Sequence, residues 1–462
     1  MINIENKNKI DIYNKKVTVI GLGLSGIGAA KLANHLGAKV FASDINSNIE
    51  IGTNALRLMQ NQHIAIETGI HSSKIFHSDL WILSPGIAKD SHLVKKAVKK
   101  NIPIVSEIEF ASWYTNSKII AITGSNGKTT TAHVLYEMCQ TKNINVIMAG
   151  NMGISFSESV LSEIIEPKKT VYILEISSFQ LEFTKHLCPY IALYTNISED
   201  HIDRHHSMSE YIAMKLRLVK NFKNGSLVIY NQDDNILTNA FANKKINKNT
   251  FSIKSNDTIF QINNDKIYHY SSKQAITKIS NISLQGNHNL YNLICAATCA
   301  SLYGIKNNAI KKVLETFGGV EHRLEHISTI NDIKFINDSK ATNINSVIVA
   351  LQTYSQPLIL ILGGYNKGAN FELLLPYINS NNVKAVIAYG EASGQIITAL
   401  GDAVRSIKII DLNSAVQKAH SIAKSGDIVL LSPGCASFDQ FSNFEERGFF
   451  FKSIVKKLEK KP

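Results

Sequence analysis

Four groups of residues in this chain have the types and spacing to do chemistry. The first is Lys118-Ile-Ile-Ala-Ile-Thr-Gly-Ser-Asn-Gly-Lys-Thr-Thr130. An apolar strand delivers Gly124, Ser125, Asn126 and Gly127, then Lys128, with Thr129 and Thr130 opening a helix. Backbone N–H groups and a helix N-terminus face an anion, Lys128 adds a full positive charge, and Thr129 offers a hydroxyl to Mg²⁺. A strict Gly-x-x-x-x-Gly-Lys-Thr would place glycine where Ile122 stands, so the loop is a shortened variant. The reading is a nucleoside triphosphate cradle; the bland alternative is a glycine-rich strand-to-helix turn.

The second group is Glu175, closing the strand Val171–Ile176. A carboxylate at a strand's C-terminal end, near a phosphate loop, is placed to hold Mg²⁺ or an attacking group. The third is the loop 197–206, where Glu199, Asp200, His201 and Asp203 fall together. Histidine with carboxylates and no cysteine suits Mg²⁺ or Mn²⁺ better than structural zinc. His201 is the foremost candidate there. The fourth lies near the C-terminus. Asp338, Lys340 and Thr342 follow one strand, Lys367 follows Gly363-Gly364 after the next, and Ser432–Ser437 ends the last. Loops at the C-terminal ends of neighbouring parallel strands converge on one crevice. Lys215, in Tyr211-Ile-Ala-Met-Lys-Leu-Arg217, reads as an ordinary lysine on a helix surface.

The elements that must position these groups form an α/β chain. Val17–Ile20 leads into Gly21-Leu-Gly-Leu-Ser-Gly26, a helix stopped by Gly37, and the strand Lys39–Ala42, ending near Asp44. This is the dinucleotide fingerprint. NAD is its commonest ligand, but any nucleotide diphosphate could use the helix N-terminus and the carboxylate. Ser84-Pro-Gly86, after the strand Asp79–Leu83, is a second turn where backbone could approach a ligand. Strands are expected at Val171–Ile176, Ile191–Thr195 and Leu227–Tyr230, with a small antiparallel sheet in Thr250–Leu284. A helix runs from Asn287 to Tyr303, ended by Gly304. A hairpin then turns at Asn331-Asp332, and strands at Leu358–Leu362, Ala385–Tyr389 and Ile428–Leu431 alternate with helices. The expected architecture is three α/β domains: Rossmann-like over 1–106, P-loop ATPase-type over 107–319, and Rossmann-like over 320–462.

Composition narrows the function classes. Of 462 residues 44% are hydrophobic and 19% charged, as in a soluble globular protein. The net charge of +12 comes from scattered lysines without a basic tract, which argues against a nucleic-acid-binding NTPase. Five cysteines (Cys139, Cys188, Cys295, Cys299 and Cys435) form no CxxC pair, so a reducing compartment is expected, with Cys295 and Cys299 as buried thiols. The N-terminus has no apolar signal region, and no apolar run approaches the roughly 18 residues that would cross a membrane. A cytoplasmic protein, not inserted in a membrane, is the expectation.

Together these stretches resemble the Mur ligase family. The residues that carry the likeness are Gly124–Thr130, Glu175-Ile-Ser-Ser-Phe-Gln180, Glu199-Asp-His-Ile-Asp203, Gly286-Asn-His-Asn289, His322-Arg323, Asn337-Asp-Ser-Lys-Ala-Thr-Asn343 and Leu431–Gln440. The first three are shared with folate polyglutamate ligases. The last two resemble the branch that adds D-glutamate, and a diamino-acid-type Asp-Asn-Pro-Arg signature is absent.

The resemblance implies an ATP-dependent ligase joining D-glutamate to UDP-N-acetylmuramoyl-L-alanine through an acyl phosphate. It implies that the fingerprint binds UDP rather than NAD, through Leu24, Ser25, Asp44, Ser84 and Gly86, with Asn151 and His201 also on that substrate. Lys128 and its loop would hold ATP, joined by Asn292 at the adenine and by Arg323 and Asp338. Two Mg²⁺ ions are implied, one on Thr129 and Glu175, one on His201. Lys215 matches a lysine that carries a CO₂-derived carbamate and binds metal in that form. Lys340 would bring positive charge to the reacting centre. Thr342, Lys367, Ser437 and Phe444 match positions that hold D-glutamate. Asn46 departs from a frequent arginine near the uracil, and Ile348 from a frequent Glu. A monomer whose last domain closes over ATP is the implied working form. The rival enzymes are a folate polyglutamate ligase, which would not carry the N-terminal fingerprint, and an NAD-dependent dehydrogenase.

Overall fold

The computed structural model describes residue 2 and residues 10–46, 64–140, 144–272, 274–284, 286–366, 369–380 and 382–459. It divides into two compact units, Met1–Phe317 and Gly318–Pro462.

The first unit contains two parallel sheets. In one, β1 (Lys16–Ile20), β2 (Lys39–Asp44), β3 (Ala65–Thr68), β4 (Leu80–Leu83) and β5 (Ile104–Ser106) are ordered β3-β2-β1-β4-β5. The order reverses beside β1, so the turn after it and the turn after β4 face one crevice. The helix Leu24–His35 leaves the first turn with no side-chain cap. A Cβ on Gly26 would lie 1.8 Å from the Gly21 carbonyl oxygen, so glycine is what lets helix and turn pack this closely. Gly37, at φ +81°, ends the helix in the left-handed conformation.

The other parallel sheet is built from β6 (Lys118–Thr123), β7 (Asn145–Gly150), β8 (Thr170–Glu175), β9 (Ile191–Tyr194), β10 (Leu227–Asn231) and β11 (Lys248–Phe251), ordered β11-β10-β9-β6-β8-β7. The central strands are near-continuous apolar runs because helices cover both faces. Helices Lys128–Cys139 and Asn287–Leu302 pack on one face, burying Cys139, Cys295 and Cys299. The small sheet is antiparallel as expected, with β12 (Phe260–Asn263), β13 (Lys266–His269) and β14 (Ala275–Lys278), but it starts later. Thr250 and Phe251 instead belong to β11, which adds to the large sheet in parallel. Phe251 is buried in a core shared with the helices Lys128–Cys139 and Asn287–Leu302.

In the second unit, β15 (Glu325–Ile330), β16 (Ile333–Asn337), β17 (Leu358–Gly363), β18 (Val383–Tyr389), β19 (Ser406–Ile409) and β20 (Ile428–Gly434) are ordered β15-β16-β20-β17-β18-β19. The β15–β16 hairpin turns through Asn331 and Asp332, both at positive φ, matching the twist of the paired strands. β20 lies between β16 and β17, and alternate residues face two cores: Leu360 and Leu430 one, Ile361 and Leu431 the other. Strand β20 extends past Leu431 to Gly434, buried throughout.

Candidate active site

The loop after β6 is held by side chains from the end of β9, its neighbour in the sheet. Gly124 (φ +147°) and Gly127 (φ +81°) permit this: a Cβ on either would come within 2.0 Å of Thr195 Oγ1 or Asn292 Oδ1, respectively. Thr195 Oγ1 donates to the Asn126 carbonyl at 2.6 Å. The Asn196 amide brackets the same residue, accepting from Asn126 N at 2.9 Å and donating to Asn126 O at 3.0 Å. Ser125 Oγ donates to the Ser198 carbonyl at 2.9 Å and lies 3.0 Å from the Tyr211 hydroxyl. Lys128 Nζ donates to the carbonyls of Gly124 and Ser125, both at 2.8 Å. Thr129 and Thr130 are buried at the start of the helix. Sequence reading missed Thr195 and Asn196. Their position directly after the strand beside β6 is the signal that could have found them.

Glu175 and Lys215 stand behind this loop, and both are buried, at 2% and 1% exposure. The reading of Lys215 as a helix-surface lysine is corrected here. Helix Met208–Leu216 turns Lys215 inward, and its Nζ donates to Gly124 O at 2.8 Å and lies 4.6 Å from the Tyr211 ring centroid. Burial holds its pKa well below the usual lysine value, and Lys128 adds to this while Asp200 and Glu175 oppose it. Glu175 Oε1 accepts from Asn151 Nδ2 at 2.9 Å, and the Glu175 carbonyl accepts from Asn151 N at 2.8 Å. Glu175 Oε2 is buried with no hydrogen-bond partner. A buried carboxylate oxygen without a donor leaves a place for a cation, and carboxylate and hydroxyl oxygens are the donors Mg²⁺ prefers. Among the described residues no cluster of three or more His, Cys, Asp or Glu is found. Mg²⁺ usually keeps several waters and is held through one or two carboxylates together with substrate phosphates. His201 sits at φ +55° as the first residue before a short helix, 3.4 Å from Asp200 and with its ring 4.7 Å from that of Phe179. Its side chain is half exposed.

The fingerprint crevice is assembled as its sequence suggests. Asp44 Oδ2 accepts from Leu22 N at 2.7 Å, and Oδ1 accepts from Asn46 N at 2.8 Å. A Cβ on Gly21 would lie 2.5 Å from Ser84 Cβ, so the two turns are in direct contact. Leu24 and Gly86 are exposed and Ser25 and Ser84 half-buried around them. Asn46 is exposed at the rim.

In the second unit, Asp338 follows β16 and is buried at 5% exposure. Ser432 Oγ donates to its Oδ2 at 2.9 Å and Leu324 N to its Oδ1 at 3.2 Å. Burial still pushes its pKa up to about 7, against the pull of these bonds, Arg323 and Lys340. Asp338 is therefore part of the buried strand end and not of an exposed turn. Thr342 is exposed, Phe444 half-buried and Ser437 buried. Lys367 lies outside the described residues. Arg447 was missed altogether: fully buried, it donates to Ser339 Oγ (3.0 Å), Ser339 O (2.8 Å) and Cys435 O (3.1 Å). It thereby ties the Asp338–Lys340 loop to the one carrying Ser437. In sequence it is one more basic residue on a helix. Ile348 packs on the unit's core, so an apolar residue there is a packing choice.

Comparison with known proteins bears on all of this. Residues 15–106 match the Mur ligase MurD-like N-terminal domain, 122–300 the Mur ligase middle domain, and 322–435 the Mur ligase glutamate ligase domain. The chain is 36% identical to the UDP-N-acetylmuramoylalanine--D-glutamate ligase of Chlorobium chlorochromatii, over 97% of this chain and all of the relative. It is 38% identical to the protein of that name from Christiangramia forsetii, over 96% of this chain and all of the relative. Among solved structures it resembles the UDP-N-acetylmuramate-alanine ligase MurC of Thermotoga maritima, with a TM-score of 0.60 and 17% identity, covering 96% of this chain and all of that one. A pseudomurein peptide ligase type C from Methanothermus fervidus gives a TM-score of 0.57, also at 17% identity and with the same coverage.

Proposed function

The chain belongs to the Mur ligase family, and from that premise we propose how its residues divide the work of the reaction. It is an ATP-dependent ligase that adds D-glutamate to UDP-N-acetylmuramoyl-L-alanine in peptidoglycan precursor synthesis. A carboxylate does not condense with an amine unaided. Transfer of the γ-phosphoryl group of ATP to the L-alanyl carboxylate makes an acyl phosphate. The D-glutamate amine then attacks its carbonyl carbon, an amide forms, and phosphate leaves.

The observation that carries this division is the buried, unpartnered Glu175 oxygen behind a glycine loop that bears Lys128. Glu175 and Thr129 would hold one Mg²⁺ and His201 a second. Such ions offset the charge that phosphate and carboxylate oxygens bring together. Backbone N–H groups of Gly124–Thr130 bind the phosphates, and Lys128 exchanges its two carbonyl contacts for phosphate oxygens. Asn292 meets the adenine, and Arg323 and Asp338 also serve ATP. Lys215 carries a carbamate made from CO₂. Its burial supports this, because lowering the amine's pKa supplies the neutral form that attacks CO₂. Leu24, Ser25, Asp44, Ser84 and Gly86 take the uridine diphosphate, and Asn151 and His201 the part of the substrate nearer the carboxylate. Lys340 offsets charge at the reacting centre, and Thr342, Lys367, Ser437 and Phe444 grip D-glutamate. The working division is a UDP-substrate domain over 1–106, an ATP domain over 107–319 and an amino-acid domain over 320–462, in a cytoplasmic monomer. Among the described residues no helix is long and apolar enough to cross a membrane.

ADP release with UDP-N-acetylmuramoyl-L-alanine, comparing D- with L-glutamate, tests the reading. Release that depends on D-glutamate is expected; release indifferent to the amino acid would overturn it.

A further inference from the structure

One buried guanidinium in the first unit has no part in the roles above. Arg204 lies three residues after His201, in the short helix Ile202–His205. Its Nε and Nη2 donate to Glu182 Oε1 and Oε2 at 3.0 and 2.8 Å. Its Nη2 and Nη1 also donate to the carbonyls of Ile87 and Gly86, at 2.9 and 3.4 Å. The guanidinium carbon is 4.4 Å from the centroid of the Phe179 ring. The Glu182 side chain is fully buried and that of Arg204 is 13% exposed. A planar fork that pairs with a carboxylate, reaches two carbonyls and covers an aromatic ring is something a lysine cannot reproduce.

The three segments it joins are those the reaction must hold in register. Gly86 and Ile87 belong to the turn after β4, whose Ser84 abuts Gly21 of the fingerprint. Phe179 and Glu182 belong to the stretch that begins at Glu175, and its short helix is fixed at Ser177 by a capping box with Gln180. His201 immediately precedes the Arg204 helix and also packs on Phe179. Two further contacts span the same junction, the ion pair Lys89–Glu210 at 3.2 Å and the pair His206–Asp90 at 3.5 Å. Both are largely exposed, where such pairs contribute little. Arg204 supplies a largely buried side-chain link to the Gly86 and Ile87 carbonyls.

We propose that Arg204 is a positioning residue of the ligase reaction: by holding the carbonyls of Gly86 and Ile87 while paired to Glu182, it fixes the turn that carries the uridylated substrate relative to the segments bearing Glu175 and His201. This rests on the assignment of that substrate to the Ser84–Gly86 turn. Phosphoryl transfer tolerates little drift between bound partners, so a loosened turn should weaken substrate binding and slow turnover while ATP binding persists.

The test compares R204A, R204K and the exposed-pair control K89A. Steady-state ADP release is measured against each substrate, and binding of UDP alone is measured by calorimetry without ATP. For R204A the KM for the UDP-substrate should rise about tenfold and kcat should fall, with the KM for ATP within about twofold of wild type. R204K should recover less than about half of that loss, and K89A should stay within about twofold on every parameter. Unchanged KM for the UDP-substrate in R204K, or KM values for ATP and UDP-substrate rising together, would overturn the proposal in favour of a general structural role. If R204A does not fold, R204K decides by the same criteria. Absence of ADP release by wild type would count against the function itself. Weaker calorimetric UDP affinity in R204K would still support the positioning role, and equal affinity would overturn it.

Discussion

Glu175 and Asp338 occupy equivalent places in the two units, yet their environments are opposite. Each is a buried carboxylate at the C-terminal end of a parallel strand, at 2% and 5% exposure. Asp338 has a donor on each oxygen, Ser432 Oγ and Leu324 N, and burial raises its pKa to about 7. Glu175 has Asn151 on one oxygen and nothing on the other, and it stands among the groups whose charge acts on Lys215. Burial keeps the Asp338 carboxyl partly protonated even though both of its hydrogen bonds favour the ionised form. A carboxyl group left with an open oxygen beside a phosphate loop is prepared for a cation. Strand-end position alone does not distinguish the two; the count of donors does.

The contrast can be broken most sharply at Glu175. The E175Q variant keeps an acceptor for Asn151 but loses the charge, and ADP release should fall about 10³-fold. Added Mg²⁺ should raise the wild-type melting temperature more than that of E175Q; equal shifts, or near-normal turnover, would remove the metal role. The D338N variant probes the other carboxyl through pH. The folded pKa of Asp338, about 7, lies above an unfolded value near 4. Its contribution to stability is therefore fully present below the unfolded pKa and is lost as pH rises through the folded one. Between pH 5 and pH 8 wild type should lose about 3 kcal/mol that D338N does not lose. Urea unfolding at the two pH values reads this directly, and a gap independent of pH would mean Asp338 is ionised throughout.

Lys215 extends the comparison to the groups around Glu175. K215A should lose about 10²-fold in activity, with part restored by added formate or acetate. Full activity without rescue would refute the carbamate role. The smallest effect is expected from N151A, which removes the Asn151 Nδ2 donor to Glu175 Oε1. The KM for the UDP-substrate should rise about tenfold. A change confined to the KM for ATP would instead assign Asn151 to the nucleotide side.

Much of the fold was legible because the central strands are continuous apolar runs bounded by glycine, and a parallel sheet buried on both faces has that pattern. The turns were legible for a different reason: Gly26, Gly124 and Gly127 stand where a Cβ would collide with its surroundings. The Asn331-Asp332 hairpin announced itself by residues that tolerate positive φ. The Thr250–Phe251 segment was misread because a short polar-apolar alternation suits an edge strand of either sheet, and only its backbone pairing with Leu227–Asn231 distinguishes them. Whether the fingerprint took NAD or UDP was equally open, since both present a diphosphate to the same helix end.

The sequence by itself determined where backbone must turn tightly, which segments must be buried, and that Lys128 follows an anion-binding loop. These follow from φ/ψ preferences and apolar runs read over a few neighbouring residues. Tertiary structure decided which polar groups lose water and what they meet instead. Lys215 reaches the Gly124 carbonyl across 91 residues of chain. Arg204 joins Gly86 to Glu182, and Arg447 joins Ser339 to Cys435. Glu175 keeps one oxygen unmatched. Desolvation of a side chain depends on every segment packed over it, so no local pattern can show it.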